Sequence, residues 1–294
     1  MEATLAPPTP GVLVMVKDLV VPITNTAGDG NALAAGIALA ERLDAHLSVL
    51  EIVNLPVPAT SPWGLMPDLA TSEIYNTLRA KAEREAAAWR DLLARESISS
   101  EVRVTESLFV EPPRSAALHA RYADLAVMTA ATGDAGDTPI IHGFFTALLL
   151  ESGRPVLVVP PGFKARGAAA HVVVAWRPTR EAARALHDAM PLLHAAETID
   201  VLEVDPVGGE RGDGPLPGAD IATHLARHGL KVRVVVRARE GESVATALLG
   251  HVQQSGAGLL VAGGYGHSRF REWALGGVTR ELLKSAAIPV LFSH

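Results

Sequence analysis

The chain has no cysteine among its 294 residues, which removes disulfide frameworks, thiolate metal sites and cysteine nucleophiles at once. Aromatic residues are scarce at 4%. Positive charge is not in excess either. With 26 Lys and Arg against 32 Asp and Glu, the net charge of -6 argues against binding to nucleic acid or to an anionic membrane surface. The apolar stretch 11–16 is too short for a membrane span or the core of a secretion signal, and residues 1–11 hold no basic cluster, so a soluble cytoplasmic protein is expected. What remains is a chain that is 48% hydrophobic and 20% charged, long enough for two domains with cores of their own.

The order of elements in the first half recurs in the second. Residues 18–24 (DLVVPIT) and 171–176 (HVVVAW) are short β-branched runs that read as strands buried on both faces. Each is followed by an Ala- and Leu-rich stretch with helical spacing, 32–43 and 180–193. Second strands follow at 47–53 (LSVLEIV) and 199–204 (IDVLEV), third strands at 101–104 and 231–236, and helices at 117–122 and 243–254. Fourth strands at 123–128 and 258–262 and fifth strands at 155–159 and 289–292 complete each half, both fifth strands opening on proline. Alternating strands and helices predict an α/β fold with two tandem doubly wound five-stranded parallel-sheet domains, Rossmann-like, over 15–161 and 170–294. The Pro- and Gly-containing segment 160–170 is the expected linker. Residues 54–68 read as an irregular insertion and 75–93 as a long charged helix with a solvated face.

In such sheets a ligand sits beyond the carboxyl ends of the strands, where the strand order reverses. The fourth strand of the second half runs into Gly263-Gly264-Tyr265-Gly266-His267-Ser268, and Gly276-Gly277-Val278-Thr279 opens a helix after it. Glycines there let backbone N–H groups approach an anion, and the helix start adds its unpaired N–H groups and positive dipole end. His267 and Ser268 add donors.

The spacing Gly263-x-x-Gly266, nine residues, Gly276 and a small residue resembles the phosphate loop of the universal stress protein family. The likeness extends over 265–283 (YGHSRFREWALGGVTRELL) and its closing 286–291 (AAIPVL), and the element order of both halves is similar to that family's domain in a tandem form. The resemblance implies the adenine nucleotide α-hydrolase-like fold and binding of ATP or another adenine nucleotide, with or without magnesium. The implied contacts are Ala175, Trp176 and Arg177 after the first strand of the second half, Val204 at the end of its second, and Ala262, Gly263, Gly266, His267, Ser268, Gly276, Gly277, Val278 and Thr279 around the loop. It also implies pairing through the fifth strands, satisfied inside one chain or between chains of a homodimer, and a role as a stress-response regulator with an unidentified protein partner.

Two positions depart from the family pattern. Gly277 stands where Ser or Thr is usual, and Arg177 occupies the strand end where nucleotide-binding members usually carry an acidic residue. Trp176 lies beside it, where an adenine ring could stack. The first half is further from the motif, with Asp134 and Asp137 in the loop and His142-Gly143 at the position of Gly276-Gly277, and reads as a degenerate copy. No Walker lysine or base to position water is evident, so no dedicated catalysis is expected beyond slow ATP hydrolysis. His224 and His228 share helical spacing but lack a third ligand, so no metal site is expected. The alternative reading is a structural or protein-interaction module with vestigial pockets.

Overall fold

The computed structural model describes residues 15–57, 60–61, 64–65, 69–131, 133–164, 168–207, 216–265 and 276–294. The first half runs β1 (Asp18–Pro22), α1 (Asp29–Leu43), β2 (His46–Asn54), α2 (Leu69–Leu93), β3 (Ser100–Ser107), α3 (Pro112–Ala120), β4 (Leu125–Thr129), α4 (Asp137–Glu151) and β5 (Val156–Val159). The second runs β6 (His171–Ala175), α5 (Arg180–Leu193), β7 (Thr198–Val204), α6 (Ala219–Arg227), β8 (Val232–Arg237), α7 (Val244–Ser255), β9 (Leu259–Gly263), α8 (Gly277–Ser285) and β10 (Val290–Ser293). Within the insertion, Thr60–Ser61 pairs antiparallel with Gly64–Leu65.

All ten long strands lie in one sheet, in the order β8-β7-β6-β9-β10-β5-β4-β1-β2-β3. Each half is parallel throughout, and the halves meet where β10 pairs antiparallel with β5, Leu291 opposite Leu157. The fifth strands therefore pair within the chain, and the junction is an approximate dyad through the sheet. The central strands are continuous Val, Leu and Ala runs because helices cover both faces. One core contains apolar residues of α1 and α5, among them Leu33, Leu39, Leu186 and Leu193, and the other contains those of α4, α7 and α8, among them Phe145, Leu148, Leu248 and Leu282.

Local signals set several boundaries. Thr179 Oγ1 accepts from the Ala182 N–H at the start of α5, and Ser243 Oγ accepts from the Thr246 N–H at the start of α7, each satisfying an otherwise open helix donor. Asp29 locks the entry to α1 differently: its carboxylate accepts from the N–H and hydroxyl of Thr24 and from the Thr26 N–H, all within 3.2 Å. Helix α3 starts earlier than the expected 117, because Pro112 and Pro113 occupy its first turn, where a missing N–H costs nothing. Helix α4 lies where the sequence suggested only a degenerate loop. Its buried Ile141, Phe144, Phe145, Leu148 and Leu149 keep helical spacing, but exposed Ile140 and Leu150 are apolar too, so no polar face sets the stripe off.

Candidate functional site

The strand order turns back between β1 and β4 in the first half and between β6 and β9 in the second, so each half has one switch point. In the second half, β6 ends at Ala175 beside Leu202 of β7, and the Trp176 N–H continues the ladder to the Leu202 carbonyl at 2.9 Å. On the other flank β9 ends at Gly263, opposite Ser293. Side-chain alternation divides the residues there. Ala175, Val204 and Ala262 lie on the face that α8 covers, whereas Trp176 packs against the core of α1 and α5 on the opposite face. Arg177 is exposed and pairs with no described acidic group.

Gly263 is small because helix α5 lies directly against it. A β-carbon there would stand 2.7 Å from the backbone carbon of Glu181 and 2.8 Å from the backbone nitrogen of Ala182. The first half makes the same approach with the small residue on the other side. Thr129 occupies the equivalent strand end, and Gly28, at the N-cap of α1, faces its hydroxyl so closely that a β-carbon would overlap it. Gly263 thus has a packing role whatever binds nearby.

Gly276 caps α8, and among the described residues no atom lies within 4 Å of where a β-carbon of Gly276 or Gly277 would stand, so the helix start is open towards them. Its first turn carries no acidic residue, so no described carboxylate of that turn competes with an anion for the N–H groups. Val278 is partly exposed and Thr279 is buried. The corresponding helix of the first half differs in kind. Asp137 lies in the first turn of α4, and the Gly136 N–H donates to Asp134 Oδ1 at 2.9 Å, so carboxylates of the chain already occupy that helix start. Gly266, His267 and Ser268 lie outside the described residues.

Residues absent from the expected set hold the described start of the loop. The Gly264 N–H donates to the Ser293 carbonyl at 2.8 Å, and His294 Nδ1 lies 3.1 Å from the Gly264 carbonyl, placed to donate. Tyr265 adopts φ +59° and reaches the first half, where its hydroxyl is 2.9 Å from Thr146 Oγ1 and its ring stacks on Phe145 with centroids 6.3 Å apart. Burial raises the Tyr265 hydroxyl above its ordinary range despite the Thr146 hydrogen bond.

Buried acids occupy equivalent places in the two halves. Glu51 and Glu203 each sit near the end of the second strand, and the shared phrase Val-Leu-Glu was the signal for them. Burial, followed by repulsion from Glu85, pushes Glu51 up to about 7, although the Asn25 side chain hydrogen-bonds to it. At the opposite end of the sheet, buried Asp200 accepts two bonds from Arg233 at 2.7 Å and lies 2.7 Å from His251 Nε2 and 3.1 Å from His171 Nε2. Burial alone would raise this carboxyl, but the Arg233 and His251 hydrogen bonds outweigh it and hold it below the ordinary carboxylate value.

Other features lie away from the switch point. A cleft of about 340 Å³, lined by Leu39, Phe163 and Leu192 among others, opens where β9 and β10 begin, beside Leu259 and Pro289. His224 and His228 have ring centroids 4.8 Å apart, and no group of three metal-ligating side chains assembles among the described residues. No helix among the described residues is long and apolar enough to cross a membrane.

Comparison with known proteins agrees with this geometry. The model of the universal stress protein family matches residues 164–294. A universal stress protein from Archaeoglobus fulgidus superposes with a TM-score of 0.67 at 15% identity, covering 95% of this chain and 96% of its own. A functionally unknown protein from Pseudomonas aeruginosa superposes with a TM-score of 0.55 at 14% identity, covering 95% and 92%. Both are likenesses of fold, and they span both halves. No curated protein matches the sequence. Residues 164–294 are thus similar to the universal stress protein family, and the two halves together share the fold of the Archaeoglobus fulgidus protein.

Proposed function

We propose that the chain is a stress-response regulator that binds ATP or a related adenine nucleotide in its second half, and that it divides into domains at 15–161 and 170–294. The observation that carries this reading is the open start of α8. No described atom crowds Gly276 or Gly277 and its first turn has no acid, whereas carboxylates fill the start of α4 in the first half. A helix start of that kind favours a phosphate through its N–H groups and dipole. In this proposal Gly263, Gly266, Gly276 and Gly277 line the phosphate site with His267 and Ser268, and Thr279 supports the helix start from its buried position. Ala175, Val204, Ala262 and Val278 form the apolar wall for the base and ribose. Trp176 backs that wall from the other face, and exposed Arg177 meets a phosphate. Magnesium, when bound, would neutralise phosphate charge.

The chain's own residues bind and orient the nucleotide. We assign no dedicated catalysis, and place the protein in the cytoplasm with a protein partner that senses the nucleotide state. A second reading, a protein-interaction module without nucleotide, is favoured by Arg177 at the strand end where an acid is usual. Calorimetric titration with ATP, with and without magnesium, separates the two. Saturable binding at one site per chain supports the first reading, and no heat from the folded protein at millimolar ATP overturns it.

A further inference from the structure

We infer that Thr146 and Phe145, in helix α4 of the first half, are positioning residues for the loop that follows β9 in the second half. This inference rests on the nucleotide reading. The loop leaves the sheet through Gly263, Gly264 and Tyr265, and each has its place set by a separate contact. Gly263 is pressed on the start of α5, and Gly264 is held by Ser293 and His294. Gly264 also lies against Leu149 of α4, where a β-carbon would stand 2.6 Å from its Cδ2 atom.

Tyr265 adopts φ +59°, a backbone conformation that a residue with a side chain rarely takes. Something must hold it there. From the first half the Thr146 hydroxyl, 2.9 Å from the tyrosine oxygen, and the Phe145 ring stacked on the tyrosine ring hold it, and from the second half the His294 ring meets it edge-on with centroids 6.3 Å apart. Phe145 is itself fixed, fully buried and edge-on to Phe292 of β10 with centroids 5.1 Å apart. The clamp therefore crosses the dyad junction: α4 belongs to one half and Tyr265 to the other. The equivalent of Tyr265 in the first half is Ala131, which has no ring or hydroxyl with which to return the contact.

The first half is thus more than a worn copy. It supplies the surface on which the entrance to the second half's loop is set. A site whose binding-competent arrangement is only partly populated binds more weakly in proportion to that population. Releasing Tyr265 should lower apparent affinity without touching any group that contacts the ligand.

The test uses the full chain, ATP as the probe, and the variants Thr146→Val, Thr146→Ser and Tyr265→Phe, with melting temperatures taken alongside. Losing one partly buried hydrogen bond should weaken ATP binding roughly threefold to tenfold in Thr146→Val and in Tyr265→Phe. Thr146→Ser keeps the hydroxyl and should bind like wild type. The Thr146→Val, Tyr265→Phe double variant should bind no more weakly than either single one, because both remove the same bond. Faster hydrogen exchange at the Gly264 amide in both hydroxyl-deficient variants, without ligand, is the second expected result. Wild-type affinity in both variants, with wild type itself binding ATP, overturns the positioning role alone. Affinity lost equally in Thr146→Ser overturns it too, since that is a packing effect. Failure of wild type to bind overturns the nucleotide reading beneath it.

Discussion

Replacing Glu51 with glutamine should remove a pH dependence from the stability of the first half. Glu51 is 1% exposed, its Oε2 atom has no hydrogen-bond partner, and its carboxyl is pushed from 4.5 up to about 7, by burial first and then by Glu85. A carboxyl raised in the folded state binds its proton more tightly there than in the unfolded chain. Its favourable contribution is therefore complete below about pH 4.5 and is lost as pH rises through about 7, above which it stays constant. At about 1.4 kcal/mol per pH unit, that interval sets a ceiling of roughly 3 kcal/mol. Glu85 is partly solvated, with 38% of its side chain exposed, so its repulsion is screened. A loss of about 1–3 kcal/mol between pH 4.5 and 7.5 is therefore expected for the wild type relative to Glu51→Gln, whose amide stays neutral throughout. Urea denaturation of both proteins across that range measures it, and titrating groups that do not interact with Glu51 cancel in the difference. Parallel stability curves would refute the reasoning, as would a wild type that gains on the variant as pH rises.

Four further substitutions probe the site and its frame. Gly277→Ser adds a hydroxyl where the structure has open space, and should tighten ATP binding by roughly threefold to tenfold, read by calorimetry. Gly263→Ala should destabilise the chain by about 1–3 kcal/mol, because the methyl group meets backbone of α5 rather than a yielding side chain; Gly30→Ala, with free space in α1, should not destabilise it. Asp200→Asn should cost about 2–4 kcal/mol in chemical denaturation at neutral pH, since Arg233 and His251 lose the charge that they bond. The Asp200 carboxyl is held below its ordinary value, so its contribution is present at neutral pH and fades as pH falls through the folded-state value.

The strands were legible because buried parallel strands must be short and apolar on both faces, as in HVVVA of β6 and LAVMT of β4. The repeat then gave their order along the chain. Helix α4 was hidden for a physical reason. Ile141, Phe144, Phe145, Leu148 and Leu149 form a buried stripe, yet Ile140 and Leu150 on the exposed side are apolar as well, so no polar face sets the stripe off in the sequence. The open start of α8 was visible as Gly276-Gly277, but its contrast with α4 needed the Asp134 hydrogen bond to Gly136. The side chain of Trp176 could not be given a face from spacing alone, since the strand ends where it begins to matter. Tyr265 was in plain view within the motif, but its partners are more than a hundred residues away, and neither Thr146 nor Phe145 carries any local mark of that contact. Glu51 and Glu203 were concealed by the strands that contain them, where a single acid in an apolar run passes for an exposed position.

The central claim is that a nucleotide binds at the second switch point and not at the first. Backbone amide shifts recorded during an ATP titration test it residue by residue. The account predicts saturable shifts at Ala175 to Arg177, Val204, Ala262 to Gly264 and Gly276 to Thr279, with Thr129 to Ala131 and the start of α4 at Asp137 unmoved. Shifts centred on the first half, or none anywhere at saturating ATP, would contradict it.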